Sequence, residues 1–327
     1  TAEKRTSHQR TQLASQGIGT FDAIVEAYFT TGQGAGLSTK DDQVRRIRSV
    51  FAVHLKRTAL EVKSSELQLS IDKHGAKVSA ARAAGYLTPV LHWAKRRDLV
   101  IGDFNLEKPL QNAPRQKVLT EVELAALLPT FKSHHGVCAK FMLLTGARIT
   151  ETTAATWSQI DLEAMTWTIP PENLKDTRAL QARRHKPKQA LIIPLSRQAI
   201  QLLTDAQQAE TERRQLNGLQ EEIRKQDLLF VGPRGAKLGN WDRWLKATTA
   251  KTGITSWSAH ALRRTTATLA GDLGAPPHIV SVILGHSNVG GQLVAGYNQS
   301  TYGSEHQQVL QHVADKLEAL ENGVSYE

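Results

Sequence analysis

Ten residues about a third of the way along, Lys108-Pro-Leu-Gln-Asn-Ala-Pro-Arg-Gln-Lys117, constrain the fold more than any other stretch. Its two prolines have no main-chain donor, and its residues are mostly polar, so it predicts an extended connection rather than a helix or strand. A chain of 327 residues is long enough for two domains. The expected organisation is a flexible tail or linker over 1–19, a helical domain over 20–108, a linker over 109–117 and a larger domain over 118–327. The chain opens on Thr rather than Met, which leaves room for a segment before it.

Before the linker the pattern is helical. Phe21, Ile24, Val25 and Tyr28 recur at helix spacing and predict one apolar face. Ser38 or Thr39 can cap the next helix, with Asp41 and Asp42 in its first turn. Its apolar side is Val44, Ile47, Val50, Phe51 and Leu55, while Arg45, Arg46, Arg48, Lys56 and Arg57 fall largely elsewhere and predict a basic surface. A further helix is expected over Lys77–Arg97, kinked or broken at Pro89.

After the linker, Thr120 and Glu123 form a capping box. A buried helix follows over Val137–Leu144 and ends at the Thr145-Gly146 turn, and Arg148–Thr156 starts another helix. Trp157–Leu162 and Met165–Pro170 predict a hairpin, with Ala190–Leu195 as a third strand. Between the last two lies the long, basic stretch Pro171–Gln189. Ser196–Lys225 reads as helical, its middle over Gln207–Lys225 protruding or frayed for want of apolar residues. Ser258 caps a helix that Gly274 ends, and Pro276 and Pro277 open one that Gly285 ends. The last helix carries the stripe Val309, Leu310, Val313, Leu317, Leu320, which suits either its own core or a neighbouring subunit. The fold class is therefore mainly α with a small antiparallel β-sheet.

Lysine and arginine number 41 against 31 acidic residues, a net charge of +10 with a pI near 9.7, which points to nucleic acid as partner. The single cysteine, Cys138, excludes an internal disulfide, fits a reducing compartment and sits in a run that reads as core. No apolar run approaches the ~20 residues of a membrane span. There is neither a phosphate-binding glycine loop nor a Cys/His set with zinc spacing, so no metal or cofactor is expected.

The chemistry concentrates in two places. Ser258–Tyr297 holds His260 and Arg263, then Gly285-His286-Ser287, then Tyr297; upstream, Thr145-Gly-Ala-Arg148-Ile-Thr-Glu151 adds an arginine in a glycine turn. Residues three apart on a helix share a face, so His260 and Arg263 can reach one ligand. An arginine fork matches two phosphate oxygens, and two of them could stabilise the extra charge of a pentacoordinate phosphorus. A tyrosine oxygen is a competent nucleophile on phosphorus and conserves the bond energy in a covalent link. Alone, each residue reads more simply as core or surface; the order of the set carries the signal.

That ordered set resembles the tyrosine recombinases, in particular phage-type integrases of satellite phages and genomic islands. The likeness rests on TGARITE, HALRRT, LGHS with GYN, and VLTEVELAALL, DLEAMTWTIPPENLK and IIPLS around them. It covers about Val118–Leu320; residues 21–110 fit the family's SAM-like core-binding domain by position and character. The resemblance implies a C-shaped clamp around DNA and a metal- and ATP-independent strand transferase. Tyr297 would form a 3′-phosphotyrosine link, Arg148 and Arg263 would bind the non-bridging oxygens, His260 would assist proton transfer, and His286 would hydrogen-bond the phosphate. Glu151 would orient its neighbours. Lys175 would protonate the leaving oxygen, with Lys186 and Lys188 as rivals; Tyr302 is the rival nucleophile. The implied partner is double-stranded DNA at attachment or core sites, bound by a homotetramer for which the terminal helix is a candidate contact, with accessory bending or directionality factors. A cytoplasmic location, integration or excision of a mobile element, and a separate arm-binding domain before the first residue belong to the same expectation. A type IB topoisomerase-like enzyme or an inactive DNA-binding protein are the alternatives.

Overall fold

The computed structural model describes residues 19–37, 39–109, 117–174, 190–218, 222–232, 235–285 and 303–326. The chain divides into two compact units, Thr1–Pro114 and Arg115–Glu327.

The first unit is helical. It holds α1 (Phe21–Thr30), α2 (Lys40–Val50), α3 (Ser64–Lys73) and α4 (Lys77–Lys95), with single 3-10 turns at Ala52–His54 and Ala59–Glu61. The Thr20 hydroxyl caps α1 by accepting from the Ala23 N–H at 3.2 Å. The apolar face predicted from spacing, Phe21, Ile24, Val25 and Tyr28, is buried. Helix α4 packs against the other three, and its Ala80, Ala83 and Ala84 are fully buried, small enough to let backbones approach. It is not broken at Pro89. That proline lies on the exposed side, where water can take the carbonyl its missing N–H leaves open. Thr39 stands at the N-cap of α2 without a side-chain cap bond, and Ser38 lies outside the described residues.

The basic surface expected on α2 is largely compensated. Arg48 donates to both Asp22 oxygens at 2.8 and 3.2 Å and to Glu26 at 2.8 Å. Asp42 takes Arg46 at 2.8 Å and also pairs with Arg45, and Arg57 donates to Glu66 at 2.9 Å. These pairs hold the Asp42 and Glu66 carboxyls below the usual carboxylate range. Sequence spacing placed the cations correctly but did not show their acidic partners, which for Arg48 come from another helix.

The second unit contains α5 (Glu121–Leu127), α6 (His134–Thr145), α7 (Ile149–Thr152), β1 (Ile160–Asp161), β2 (Thr166–Ile169), β3 (Leu191–Pro194), α8 (Arg197–Leu216), α9 (Trp241–Thr252), α10 (Ala259–Asp272), α11 (Pro277–Ile283) and α12 (Gly303–Glu321). The capping box forms as predicted, with the Thr120 hydroxyl on the Glu123 N–H and the Glu123 carboxylate on the Thr120 N–H. Helix α6 is buried on most of its surface, from Cys138 and Ala139 to Phe141 through Leu144, because it runs through the core; burial pushes the Cys138 thiol up. The sheet is antiparallel in the order β1-β2-β3, with Trp167 opposite Ile160 on one side and Ile193 on the other. Trp167, Ile169 and Ile193 turn inward, as period-two alternation requires. The architecture is the expected mainly helical fold with a small antiparallel sheet.

Two expectations need correction. The strand predicted over Trp157–Leu162 shrinks to Ile160–Asp161, because Trp157 and Ser158 donate instead to the carbonyls of Asp227 and Lys225 at 3.1 and 2.6 Å, and Trp157–Gln159 winds into a 3-10 turn. Of the stretch expected to protrude or fray over Gln207–Lys225, the part as far as Leu216 does not fray but is helix. Glu210 takes Arg213 and Arg214, and Arg214 reaches Asp227 at 2.7 Å, so charge pairing replaces the missing apolar contacts. The stripe on α12 settles within its own unit. Leu310, Val313 and Leu317 are buried there, flanked by Lys140–Glu321 and Lys316–Glu121 ion pairs and by Gln198 donating to Asp315.

Candidate active site

The site begins where α6 stops. Gly146 ends that helix at φ +66°, its N–H returning to the Met142 carbonyl at 2.9 Å. A glycine is required twice over. The left-handed conformation disfavours any side chain, and a Cβ there would lie 2.8 Å from Ile283 Cγ2 at the end of α11. The chain then extends through Arg148, the N-cap of α7. Glu151, three residues on, turns its carboxylate back: Oε2 accepts the Arg148 main-chain N–H at 2.8 Å and Oε1 accepts Arg148 Nη1 at 2.7 Å. The Glu151 side chain has no exposed surface, while Arg148 keeps 26% of its own, so Arg148 is the open lip of the arrangement.

Helix α10 supplies the other wall. Ser258 caps it, accepting from the Ala261 N–H, and the chain leaves through Gly274 at φ +85°. Thr266 donates to the Leu143 carbonyl at 2.8 Å, satisfying a group that the end of α6 leaves open. The Thr265 hydroxyl accepts the Leu119 N–H at 2.9 Å. These two buried threonines fix α10 against α6 and against the entry to the unit. Only their place in the run Arg-Arg-Thr-Thr, on the buried side of the helix, could have marked them.

Arg263 lies between the walls at 4% exposure. Its Nη1 donates to the Gly146 carbonyl at 2.6 Å and its Nη2 to the Leu284 carbonyl. One guanidinium thus ties the glycine turn to the end of α11. Nothing in the residue order singles out Leu284 for this, since a main-chain acceptor leaves no side-chain signature. Burial pushes the Arg263 pKa down to about 10, the Arg148 charge pushes the same way, and Glu151 opposes both. Arg148 alone bonds the Glu151 carboxylate, whose charge Arg263 also feels. With donors left over on each guanidinium, this half-enclosed excess of positive charge is suited to a multi-oxygen anion.

The structure brings Arg148, Glu151 and Arg263 together. His260 sits in the first turn of α10, exposed, three residues before Arg263. Gly285, at φ +54°, ends the turn after α11 beside Leu191 of β3. Lys175, Lys186, Lys188, His286, Tyr297 and Tyr302 lie outside the described residues. Among the described residues no cluster of His, Cys, Asp or Glu could hold a metal ion, and no helix is long and apolar enough to cross a membrane.

The sequence profile of the phage integrase family matches residues 117–303, more than half of the chain. The chain belongs to the phage integrase family. It is 23% identical to the integrase of Enterobacteria phage P4 over 226 residues, 64% of this chain and 51% of that protein. It spans about half the length of the curated relatives it matches. Two solved structures share the fold. The Tn1549 transposon integrase in complex with circular intermediate DNA superposes with a TM-score of 0.60 at 17% identity, covering 87% of this chain and 98% of that one. A lambda integrase tetramer bound to a Holliday junction does so with a TM-score of 0.60 at 14% identity, covering 86% and 81%.

Proposed function

We propose that this phage integrase family chain is a site-specific DNA strand transferase, integrating or excising a mobile element through a 3′-phosphotyrosine intermediate. The observation that carries the proposal is a buried Arg263, braced by two carbonyls, within the electrostatic reach of Arg148, which Glu151 holds. A scissile phosphodiester is the anion such a site suits. In the transition state its non-bridging oxygens gain charge, and donors already fixed in place stabilise that charge without reorganising.

In this reading Tyr297 Oη attacks phosphorus, giving up its proton with His260 assisting, and a phosphorus–oxygen bond to tyrosine forms. The bond to the 5′ oxygen breaks, and Lys175 protonates that oxygen to leave a 5′-hydroxyl. His286 hydrogen-bonds the phosphate. The reverse step, with a 5′-hydroxyl from another strand, rejoins DNA without a metal or ATP. The first unit serves as the core-binding domain, and a homotetramer assembles on attachment-site DNA, with bending or directionality proteins alongside. Because the α12 stripe is used within its own unit, contacts between copies would draw on other residues.

The test is covalent capture. A pool of nicked duplexes with randomised arms is incubated with the protein, and complexes that survive SDS are sequenced. Wild type should capture a defined sequence, in EDTA as well as without it, and Tyr297→Phe should capture none. Relaxation of plasmids lacking that sequence would favour the topoisomerase alternative. No covalent complex from the whole pool would end the catalytic reading.

A further inference from the structure

Two hydrogen bonds join α10 to the end of α6. Arg263 Nη1 donates to the Gly146 carbonyl at 2.6 Å, and the Thr266 hydroxyl donates to the Leu143 carbonyl at 2.8 Å. Arg263 and Thr266 stand three residues apart on one face of α10; Leu143 and Gly146 stand three apart at the end of α6. The bonds are thus two rungs between segments that run in opposite senses, and sliding one segment along the other strains both.

The rungs differ in stiffness. Arginine reaches its carbonyl through a long arm with many rotamers, so its bond tolerates some shift of the helix beneath it. The Thr266 oxygen sits directly on Cβ, and branching there restricts its rotation. Its bond therefore ties one main chain closely to the other. The same hydroxyl lies 3.2 Å from the Leu262 carbonyl of its own helix, the longer of its two contacts. Thr266 has no exposed surface, and a Cβ built on Gly146 would meet its Cγ2 at 3.4 Å, so its methyl faces the glycine turn. Leu262, Leu269 and Ala270 of α10 are also buried, but apolar burial has no direction of its own and does not fix a register.

We propose that Thr266 is a positioning residue for strand cleavage: its hydroxyl sets the register of α10 on α6, and with it the place of Arg263 beside the turn that leads to Arg148. The proposal rests on the recombinase reading above. In it Thr266 touches neither DNA nor the reacting atoms and acts through Arg263.

The experiment compares wild type, Thr266→Val and Thr266→Ser in the full chain, using the nicked duplexes that wild type captures from the randomised pool. Valine keeps the shape and removes the hydroxyl; serine keeps the hydroxyl and removes the methyl. Thermal midpoint is read first, then single-turnover covalent capture against duplex concentration, well below every midpoint. For Thr266→Val the saturating rate should fall about tenfold or more, with the half-saturating concentration within about twofold. Thr266→Ser should capture within about threefold of wild type, although the lost methyl lowers its midpoint. Capture by Thr266→Val at the wild-type rate would overturn the proposal. So would a tenfold loss in Thr266→Ser, which would assign the effect to the methyl, whether or not Thr266→Val folds. Rates that fall in step with the midpoints of both variants would overturn it in favour of a general structural role. If wild type itself captures nothing, the recombinase reading falls and the positioning role with it, an outcome distinct from a defect confined to the variants.

Discussion

In the first unit Arg48 meets two carboxylates, Asp42 answers two arginines, and the side chains concerned stay between a quarter and three-quarters exposed. In the second unit Arg263 is buried, its nearest acceptors are carbonyls, and the one carboxylate nearby is already engaged by Arg148. The surface pairs form where charges of opposite sign fall within reach; each is worth little, because water would have solvated the same groups. The buried arginine is held where a cation is disfavoured, by packing and by α10 as a whole. A phosphate relieves that situation and would add little to Arg48, whose charge is already answered. Charge count, by which both units look basic, does not separate the two cases; compensation does.

The largest test of this contrast is Arg263→Lys against Arg48→Lys. Lysine keeps the charge but cannot span two carbonyls and a phosphate together. Single-turnover capture should fall about 10²–10³-fold for Arg263→Lys and stay within about twofold for Arg48→Lys. Equal effects would break the comparison.

Next comes acid. Among the described residues each unit buries one histidine with a lowered pKa: His54, through desolvation and then Arg57, and His306, through desolvation. Both bind protons more weakly folded than unfolded, so stability is present above the ordinary histidine pKa of about 6.5 and is lost as pH falls below it. For His306 the loss is complete near pH 4 and should reach about 3 kcal/mol. Urea unfolding at pH 7 and pH 5 should show the decline begin before the paired carboxylates titrate, and His306→Leu should flatten it.

Gly146→Ala is smaller in energy. A left-handed alanine with its Cβ against Ile283 should cost about 1–3 kcal/mol, read by urea unfolding, and should slow capture by displacing the turn that Arg263 grips. The smallest effect belongs to Arg48→Ala, expected at under about 1 kcal/mol by the same measurement.

Much of the second unit could be read in advance. Ser258, Gly146, Gly274, Thr120 and Glu123 mark chain turns through their own side chains, or the lack of one, and each does so in the structure. The meeting of Arg148, Glu151 and Arg263 followed from motif order rather than from physics, since no periodicity relates residues so far apart. What stayed hidden runs through the backbone or between distant segments. The carbonyls that brace Arg263, the swap of Trp157 from strand pairing to Asp227, and the acids opposite Arg48 depend on tertiary neighbours. At Pro89, where a kink or a break was expected, the helix is not broken, and the proline lies on its exposed side.

The bond from Arg263 to Gly146 joins residues 117 apart in the chain. At synthesis rates of about 5–20 residues per second, the glycine turn leaves the ribosome roughly 6–23 s before its partner. Leu119 waits longer still, for Thr265, 146 residues on. A nascent chain that ends before α10 therefore presents one arginine, one carboxylate and no pocket for a phosphate.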